Sequence, residues 1–425
     1  MLTAINARPS SSFNGQMVAT GILFLINPLL GLVLALLVVL NSPNDYSANR
    51  REILLFAVTA AAWISLVNIT KTITGDQVVY TRMFINVPVN GLHGTVFDSW
   101  GGSGKEPFYS FITWLLYYLT GGSVRLFYFD LSFAMYMLHF LAAYKVARKI
   151  DAPKYSLICG ILVLTFFTQY FVMTLQLVRQ MLAAGVVIYA IACRAEDGKN
   201  HWCWLVAAVL IHTSSAFLAL LSLVPWFYNW LTPKRWAIVL ACFVPVVVFS
   251  SAIGNALGGS TGVSALDYGL SMYGNETYSD GGFISIGIMA MVFVPLTLSV
   301  IVSLVSYRKA ISSDNTEEID VQRAILPISY MALFLMLFVL MFSKAPLIQY
   351  RFFYYSYSFI PLLIPLLIRK RPEAGFYCFV ASAFFIVRFF VMHQSSAWDY
   401  APTLDLFVQP ITYYFTGDFS PYYFM

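Results

Sequence analysis

The chain consists of long apolar runs joined by short polar connections, from residue 17 to residue 392. Apolar runs of roughly 18 or more residues are long enough to cross the hydrocarbon core of a bilayer as helices. The pattern therefore predicts an all-α integral membrane protein with a single polytopic domain over residues 1–425. The predicted spans are 17–40, 53–69, 126–144, two within 155–193, two within 202–231, 236–253, 283–306, 324–342, 352–368 and 375–392.

Four of the apolar runs are irregular. Asn27-Pro28 interrupts the first span in its middle, and residues 107–120 are only about fourteen residues long, which favours a re-entrant or interfacial helix. As one helix, residues 155–193 would reach roughly 58 Å, about twice the hydrocarbon core, so the run must fold back near Thr174 and Gln176. The polar residues at 212–215 interrupt 202–231 in the same way.

The distribution of Lys and Arg sets the orientation, because cytoplasmic loops carry an excess of them. If both long runs are hairpins, the sequence predicts about twelve spans with both termini outside. The outer segments are then the loops 71–106 and 254–282 and the tail 393–425. The cytoplasmic side receives sixteen of the 25 Lys and Arg: Arg50, Arg51, Lys145, Arg148, Lys149, Lys154, Arg194, Lys199, Lys234, Arg235, Arg308, Lys309, Arg323, Arg369, Lys370 and Arg371.

Composition agrees with this organisation and excludes other classes. The chain is 59% hydrophobic and 11% charged, with a mean hydropathy of +0.73, so no separate soluble domain is expected. The formal charge of +5 lies in short loops and does not indicate a nucleic-acid partner. The five cysteines lie in apolar runs without CxxC spacing and are interpreted as packing residues.

Several cations nevertheless lie at or inside the outer ends of the predicted spans. They are Arg179, Lys344, Arg351 and Arg388. A cation within a membrane helix costs several kcal/mol unless it meets water, a partner or an anion. Arg179 and Gln180 open an otherwise uncharged helix, and the N-terminus of a helix itself attracts anions. These residues are candidates for binding a diphosphate, because arginine can clamp phosphate oxygens with two hydrogen bonds.

Two alternatives remain open for these cations. Arg179 can extend its side chain to lipid phosphates at the interface, and Arg179 or Arg351 can form a structural ion pair with Asp76 or Glu106. Arg8 and Lys71 are interpreted as ordinary flanking charges, and His139 as a hydrogen-bonded core residue.

A general base can come from the same outer side, where the topology places His212, Asp76 and Glu106. Either a carboxylate or a histidine can take the proton from an attacking hydroxyl. Asp76 has the best claim to be the carboxylate base and His212 to orient or relay a proton, without a firm order among the three. The sequence has no P-loop, no HExxH and no DxD-type motif, so neither cytosolic nucleotide chemistry nor a metal or other cofactor is predicted.

The chain resembles the EpsG/Wzy-type family of bacterial surface-polysaccharide polymerases, from about Thr74 to Arg351. Four motifs carry the likeness in order: Asp76 with Tyr80 in GDQVVY, Glu106-Pro107 in KEPFY, Arg179-Gln180 in LVRQMLAAG, and the residues 212–216, HTSSA. One departure is Phe108, because relatives often have Gly after the Glu-Pro pair.

The resemblance implies a glycosyltransferase that polymerises undecaprenyl-diphosphate-linked oligosaccharide repeats into an O-antigen, capsule or exopolysaccharide. The reaction would take place at the outer, periplasmic face of the bacterial inner membrane and release undecaprenyl diphosphate. Arg179 and Arg351 are then the expected diphosphate clamps, Lys344 and Arg388 are weaker candidates, and arginines replace the metal ion of other transferases. Expected partners are the lipid-linked oligosaccharide, the lipid bilayer and a chain-length regulator protein.

Three alternatives have different sequence signatures. A flippase for lipid-linked oligosaccharides, or another exporter, would also need a cationic cavity, but no inverted repeat is detectable. An O-antigen ligase would usually have a large outer loop late in the chain, whereas the larger polar loop here, 71–106, is early. A membrane scaffold without chemistry would not need cations inside its spans.

Overall fold

A computed structural model describes residues 10–43, 46, 49–98, 106–224, 286–341, 346–369, 373–395 and 400–417, together with the single positions 235, 238 and 241. The regular elements within these residues are all helices, which confirms the predicted all-α class. The predicted span 236–253 and the predicted outer loop 254–282 lie outside the described residues, apart from those single positions.

The helices follow one another in chain order with short connections. The first ten are α1 Ser10–Ile26, α2 Pro28–Asn41, α3 Arg50–Asn68, α4 Asp76–Ile85, α5 Val87–Val96, α6 Pro107–Leu119, α7 Val124–Lys149, α8 Lys154–Thr165, α9 Thr168–Gln176 and α10 Val178–Asp197. The others are α11 Trp202–Ile211, a 3₁₀ turn Thr213–Ser215, α12 Ala216–Leu223, α13 Ile286–Ser312, α14 Thr316–Met341, α15 Pro346–Tyr357, α16 Ile360–Ile368, α17 Ala374–Ser395, α18 Asp405–Val408 and α19 Ile411–Thr416.

Six of these helices are long and apolar enough to cross a membrane, namely α3, α7, α10, α13, α14 and α17. Two further pairs qualify if each counts as one bent span: α8 with α9, bent by 56°, and α15 with α16, bent by 49°. The described part of the chain thus has six to eight candidate spans, and the predicted number of about twelve is not confirmed.

The predicted interruption of the first apolar run is confirmed. Asn27 has extended backbone angles between α1 and α2, and its side-chain oxygen accepts a hydrogen bond from Leu30 N at 3.0 Å. Pro28 occupies the first helical position, where it needs no backbone donor. The Asn27 amide also donates to the carbonyl of Phe407 at 2.7 Å. This hydrogen bond connects the break between α1 and α2 to the C-terminal helix α18.

The two long apolar runs are broken where polar residues predicted a break, and once more. α9 ends at Gln176 and α10 begins at Val178, while α11 ends one residue before His212, whose backbone is extended. An additional break at Phe166-Phe167 separates α8 from α9, and the apolar sequence there gave no signal for it.

α10 lies in the centre of the helix bundle and packs most extensively against α7. Small residues permit this close approach: a Cβ added to Gly185 would lie 3.2 Å from the His139 ring. His139 is fully buried, and its Nδ1 lies 2.7 Å from the Met135 carbonyl, so the predicted core role of this histidine is confirmed.

A buried amide connects three helices near the end of α3. Asn68 Nδ2 donates to Ser132 Oγ on α7 at 2.9 Å and to Thr174 Oγ1 on α9 at 2.8 Å. Polar side chains that hydrogen-bond between helices stabilise membrane bundles, since lipid offers no alternative partner. Asn68 therefore fixes α9, and with it the start of α10, against α3 and α7.

We expect Asn68→Ala to lower the free energy of unfolding in detergent by about 1–2 kcal/mol, because both interhelical bonds are lost. Thr59→Ala is the matched control on α3, since the Thr59 hydroxyl donates to Leu55 O within its own helix. Chemical unfolding followed by intrinsic fluorescence measures both variants. An equal loss of unfolding free energy in the two variants would contradict a stabilising role for the interhelical hydrogen bonds of Asn68.

Candidate functional site

Glu106 begins the candidate site, at the residue before α6. Its backbone is left-handed, with φ 58° and ψ 54°, and Pro107 follows at the first helical position. A non-glycine residue in this region is strained by about 1 kcal/mol or more and persists only where its surroundings hold it. The residue is only 6% exposed, so the strained turn directs a carboxylate into the protein.

The two oxygens of this carboxylate are shared between two basic side chains. Arg179 Nη1 forms an ion pair with Glu106 Oε2, and His212 Nδ1 lies 3.1 Å from Oε1. Arg179 is the second residue of α10, and His212 stands in the break after α11. Side-chain exposure is 5% for Glu106, 14% for His212 and 21% for Arg179, so the cluster is largely removed from water. The fold thus joins three of the four sequence motifs at one carboxylate.

Nδ1 of His212 has both an acceptor and a donor beside it. It lies 3.1 Å from Glu106 Oε1, and the Ser214 backbone N–H donates to it at 3.3 Å, the same distance as Ser214 Oγ. The carboxylate requires a proton on Nδ1, whereas the backbone N–H requires a lone pair there, so the two contacts correspond to the two ring tautomers. In the tautomer that pairs with Glu106, Nε2 carries the lone pair and is the nitrogen able to accept a proton.

Tyr80, from the remaining motif, GDQVVY, contacts Arg179. Arg179 Nε donates to Tyr80 Oη at 3.4 Å, and the guanidinium lies 5.4 Å from the centre of the Tyr80 ring. Tyr109 packs edge-on against Tyr80 with ring centres 5.8 Å apart. Burial raises the pKa of Tyr80, so its phenol stays protonated and Oη accepts from the arginine. These aromatic rings restrict the guanidinium to one orientation.

α15 brings a second arginine to the same region. Gln180 Nε2 donates to the backbone carbonyl of Arg351, and Ser214 Oγ lies 2.7 Å from Tyr355 Oη. The positive charge of Arg351 acts on both His212 and Tyr355. Its half-buried guanidinium forms no hydrogen bond or ion pair with the described part of the chain. Arg179, in contrast, already pairs with Glu106.

Three other predicted residues are not part of this cluster as far as the structure describes it. Asp76 is exposed at the first position of α4 and forms no ion pair with Arg179 or Arg351 within the described residues. Arg388 on α17 donates to Gln169 Oε1 on α9 at 3.1 Å. Lys344 lies outside the described residues. The roles assigned to these three stay predictions.

Lys71 belongs beside the site, although the sequence analysis interpreted it as a flanking charge. Its side chain is buried, and Nζ donates to Gln77 Oε1 at 3.0 Å. Gln77 lies one turn before Tyr80 on the same buried face of α4, and Tyr128 Oη donates to its carbonyl at 2.9 Å. Burial lowers the pKa of Lys71 from its ordinary value of 10.5 to about 8. The spacing of the apolar and polar residues at 77, 80, 81 and 84 could have indicated this buried face.

Comparison with known proteins gives one family. The model of the EpsG family matches residues 53–402, which include all four motifs and every residue of the cluster. No curated protein and no solved structure matches the chain.

The lowered pKa of Lys71 predicts a specific pH dependence of stability. Below about pH 8 Lys71 is protonated in both the folded and the unfolded chain, and the folded chain bears the full free-energy cost of burying the charge. Between about pH 8 and pH 10.5 only the unfolded chain keeps the proton, so this cost decreases as the pH rises. We expect the melting temperature of Lys71→Met, relative to the unsubstituted protein, to fall as the pH rises from about 7 to about 10. Lys309→Met, at an exposed position, is the control and should give a constant difference. A constant difference for Lys71→Met would overturn the assignment.

Proposed function

The chain belongs to the EpsG family, and from that premise we propose that it polymerises undecaprenyl-diphosphate-linked oligosaccharide repeats at the outer face of the bacterial inner membrane. Family membership supports a polysaccharide-polymerase role, and the apolar helices indicate a membrane protein. The observation that carries the finer proposal is the single carboxylate of Glu106 shared by Arg179 and His212, with Arg351 on α15 joined to Gln180 through its backbone carbonyl.

In the proposed reaction, a hydroxyl of one lipid-linked repeat attacks the anomeric carbon of the growing chain. The bond from that carbon to the diphosphate oxygen breaks, and its electron pair leaves with undecaprenyl diphosphate. The proton of the hydroxyl passes to His212 Nε2, in the tautomer whose Nδ1–H is donated to Glu106. Glu106 also stabilises the imidazolium that results, so histidine is the base and Glu106 orients it.

The leaving diphosphate requires positive charge at fixed positions. Arg351 provides an available guanidinium, and Arg179 provides a second one that Tyr80 and Glu106 hold in place. The backbone N–H groups at the start of α10 add a favourable dipole next to Gln180. In this proposal Asp76 and Arg388 act outside the central cluster, on more distant parts of the substrate, and Lys344 stays a weaker candidate for the diphosphate.

The position of the charges favours a transferase over an exporter. The cluster lies at the start of α10, and the helix is uncharged from Gln180 to Cys193. A path for a charged head group across the membrane would need polar side chains along its length. A surface-polysaccharide polymerase also implies a multi-pass inner-membrane location with the site facing the periplasm, and a chain-length regulator as a partner.

The surface-polysaccharide ladder of a deletion strain tests the proposal. We expect the strain complemented with Arg351→Gln or with Arg179→Gln to display single repeats and no ladder, because the diphosphate leaving group is not stabilised. Losing one such contact typically slows a transfer step by about 100-fold or more.

Arg82→Gln is the matched control for these variants, since Arg82 is an exposed arginine in the predicted outer loop 71–106. It should restore a normal ladder at wild-type abundance. Normal ladders with both Arg179→Gln and Arg351→Gln would contradict the diphosphate clamp. Complete loss of surface sugar in the deletion strain, with lipid-linked repeats retained inside, would indicate a flippase instead.

A further inference from the structure

The helix that begins at the site, α6, has one face that the described part of the chain does not cover. Tyr109, Ser110 and Thr113 are buried on the inner face, against the rest of the bundle. The other face consists of apolar and aromatic side chains, and its two C-terminal members, Tyr118 and Leu119, are 57% and 71% exposed. We call this outer face the α6 strip; its members are Phe108, Phe111, Trp114, Leu115, Tyr118 and Leu119.

The rings of the α6 strip form a nearly continuous surface. Phe108 and Phe111 are stacked with ring centres 6.3 Å apart and planes 12° apart. Phe111 and Trp114 follow with 6.0 Å and 23°. Tyr118 completes the row, edge-on to Trp114 at 5.2 Å. The strip extends along a helix of 13 residues, or about 20 Å.

The chemistry of the strip favours a hydrocarbon over a saccharide. None of its six members has a charged or amide side chain, and the only polar atoms are one indole nitrogen and one phenol oxygen. A saccharide carries hydroxyls that lose water on binding and then require hydrogen-bond partners. A hydrocarbon chain requires only apolar contact and gains free energy from the area it removes from water.

The strip is also continuous with the charged cluster. Phe108 is only two residues beyond Glu106, which pairs with Arg179 at the start of α10. In a lipid diphosphate, the charged group is bonded directly to the first isoprene unit. If the diphosphate binds at Arg179 and Arg351, the first part of its tail must therefore leave from a point close to the first turn of α6.

We propose that the α6 strip binds the part of the polyprenyl tail nearest to the diphosphate and gives the protein a preference for long-tailed substrates. This inference rests on the proposed function. It assigns to this face one occupant, the substrate's own tail. In the alternative, the strip is an ordinary contact with bilayer lipid, and substitutions there would not affect substrates of different tail length differently.

Elongation by the full-length protein in lipid nanodiscs tests the proposal. Two substrates with the same oligosaccharide are compared, one with a long polyprenyl tail and one with a methyl group in place of the tail. We expect the ratio of their kcat/KM values to fall by about tenfold in the double variant Phe111→Ala with Trp114→Ala, mainly through KM of the long-tailed substrate. The control is Phe376→Ala with Phe379→Ala, since these aromatic residues on α17 are 68% and 71% exposed.

An unchanged ratio, or an equal fall in the control, would overturn the proposal and leave an ordinary bilayer contact. An equal loss with both substrates would indicate a structural role and would overturn it as well.

If the wild-type protein elongates neither substrate, the polymerase function fails and tail binding is decided by photo-crosslinking. There, a polyprenyl diphosphate with a photoreactive first isoprene unit should label α6 more than a matching uncharged polyprenol does, and equal labelling would contradict the proposal.

Discussion

The site depends on one carboxylate that is buried and shared. Removing a carboxylate from water costs several kcal/mol, and only close countercharges and hydrogen bonds offset that cost. Glu106 has both, from Arg179 on one oxygen and His212 on the other. Removing Arg179 would leave the charge of Glu106 uncompensated, and removing His212 would take away the partner of its other oxygen. The same carboxylate therefore holds α10 and the break after α11 at the start of α6.

Helix breaks are what bring these side chains together. Glu106 precedes α6 in a left-handed turn, Arg179 follows the break at Leu177, and His212 stands in the break before a 3₁₀ turn. Backbone groups freed by such breaks are tolerated at membrane depth only where protein or a water-filled cavity satisfies them. The carbonyl of His212 accepts from the Ser215 backbone N at 3.0 Å and from Ser215 Oγ at 2.8 Å, so a backbone group at this break is satisfied by the protein itself.

The sequence predicted those elements whose signal is local. Polar residues inside apolar runs indicated the breaks near Gln176 and at His212, and both are present. The break at Phe166-Phe167 has no polar residue to indicate it, and the count of about twelve spans is not confirmed. Which carboxylate meets Arg179 was not predictable, because Asp76 and Glu106 lie on the same predicted side and the choice depends on helix packing. Lys71 was misinterpreted for the same reason, since its burial and its hydrogen bond to Gln77 depend on where α4 packs.

Release of undecaprenyl diphosphate by the purified protein tests the central claim that Glu106 and His212 form the reactive pair. The measurement counts the undecaprenyl diphosphate freed per glycosidic bond formed, with Glu106→Gln compared with the unsubstituted chain. The account predicts one molecule released per bond, and a rate at least about 100-fold lower for Glu106→Gln while the lipid-linked substrate still binds. A wild-type rate of release with Glu106→Gln would contradict it.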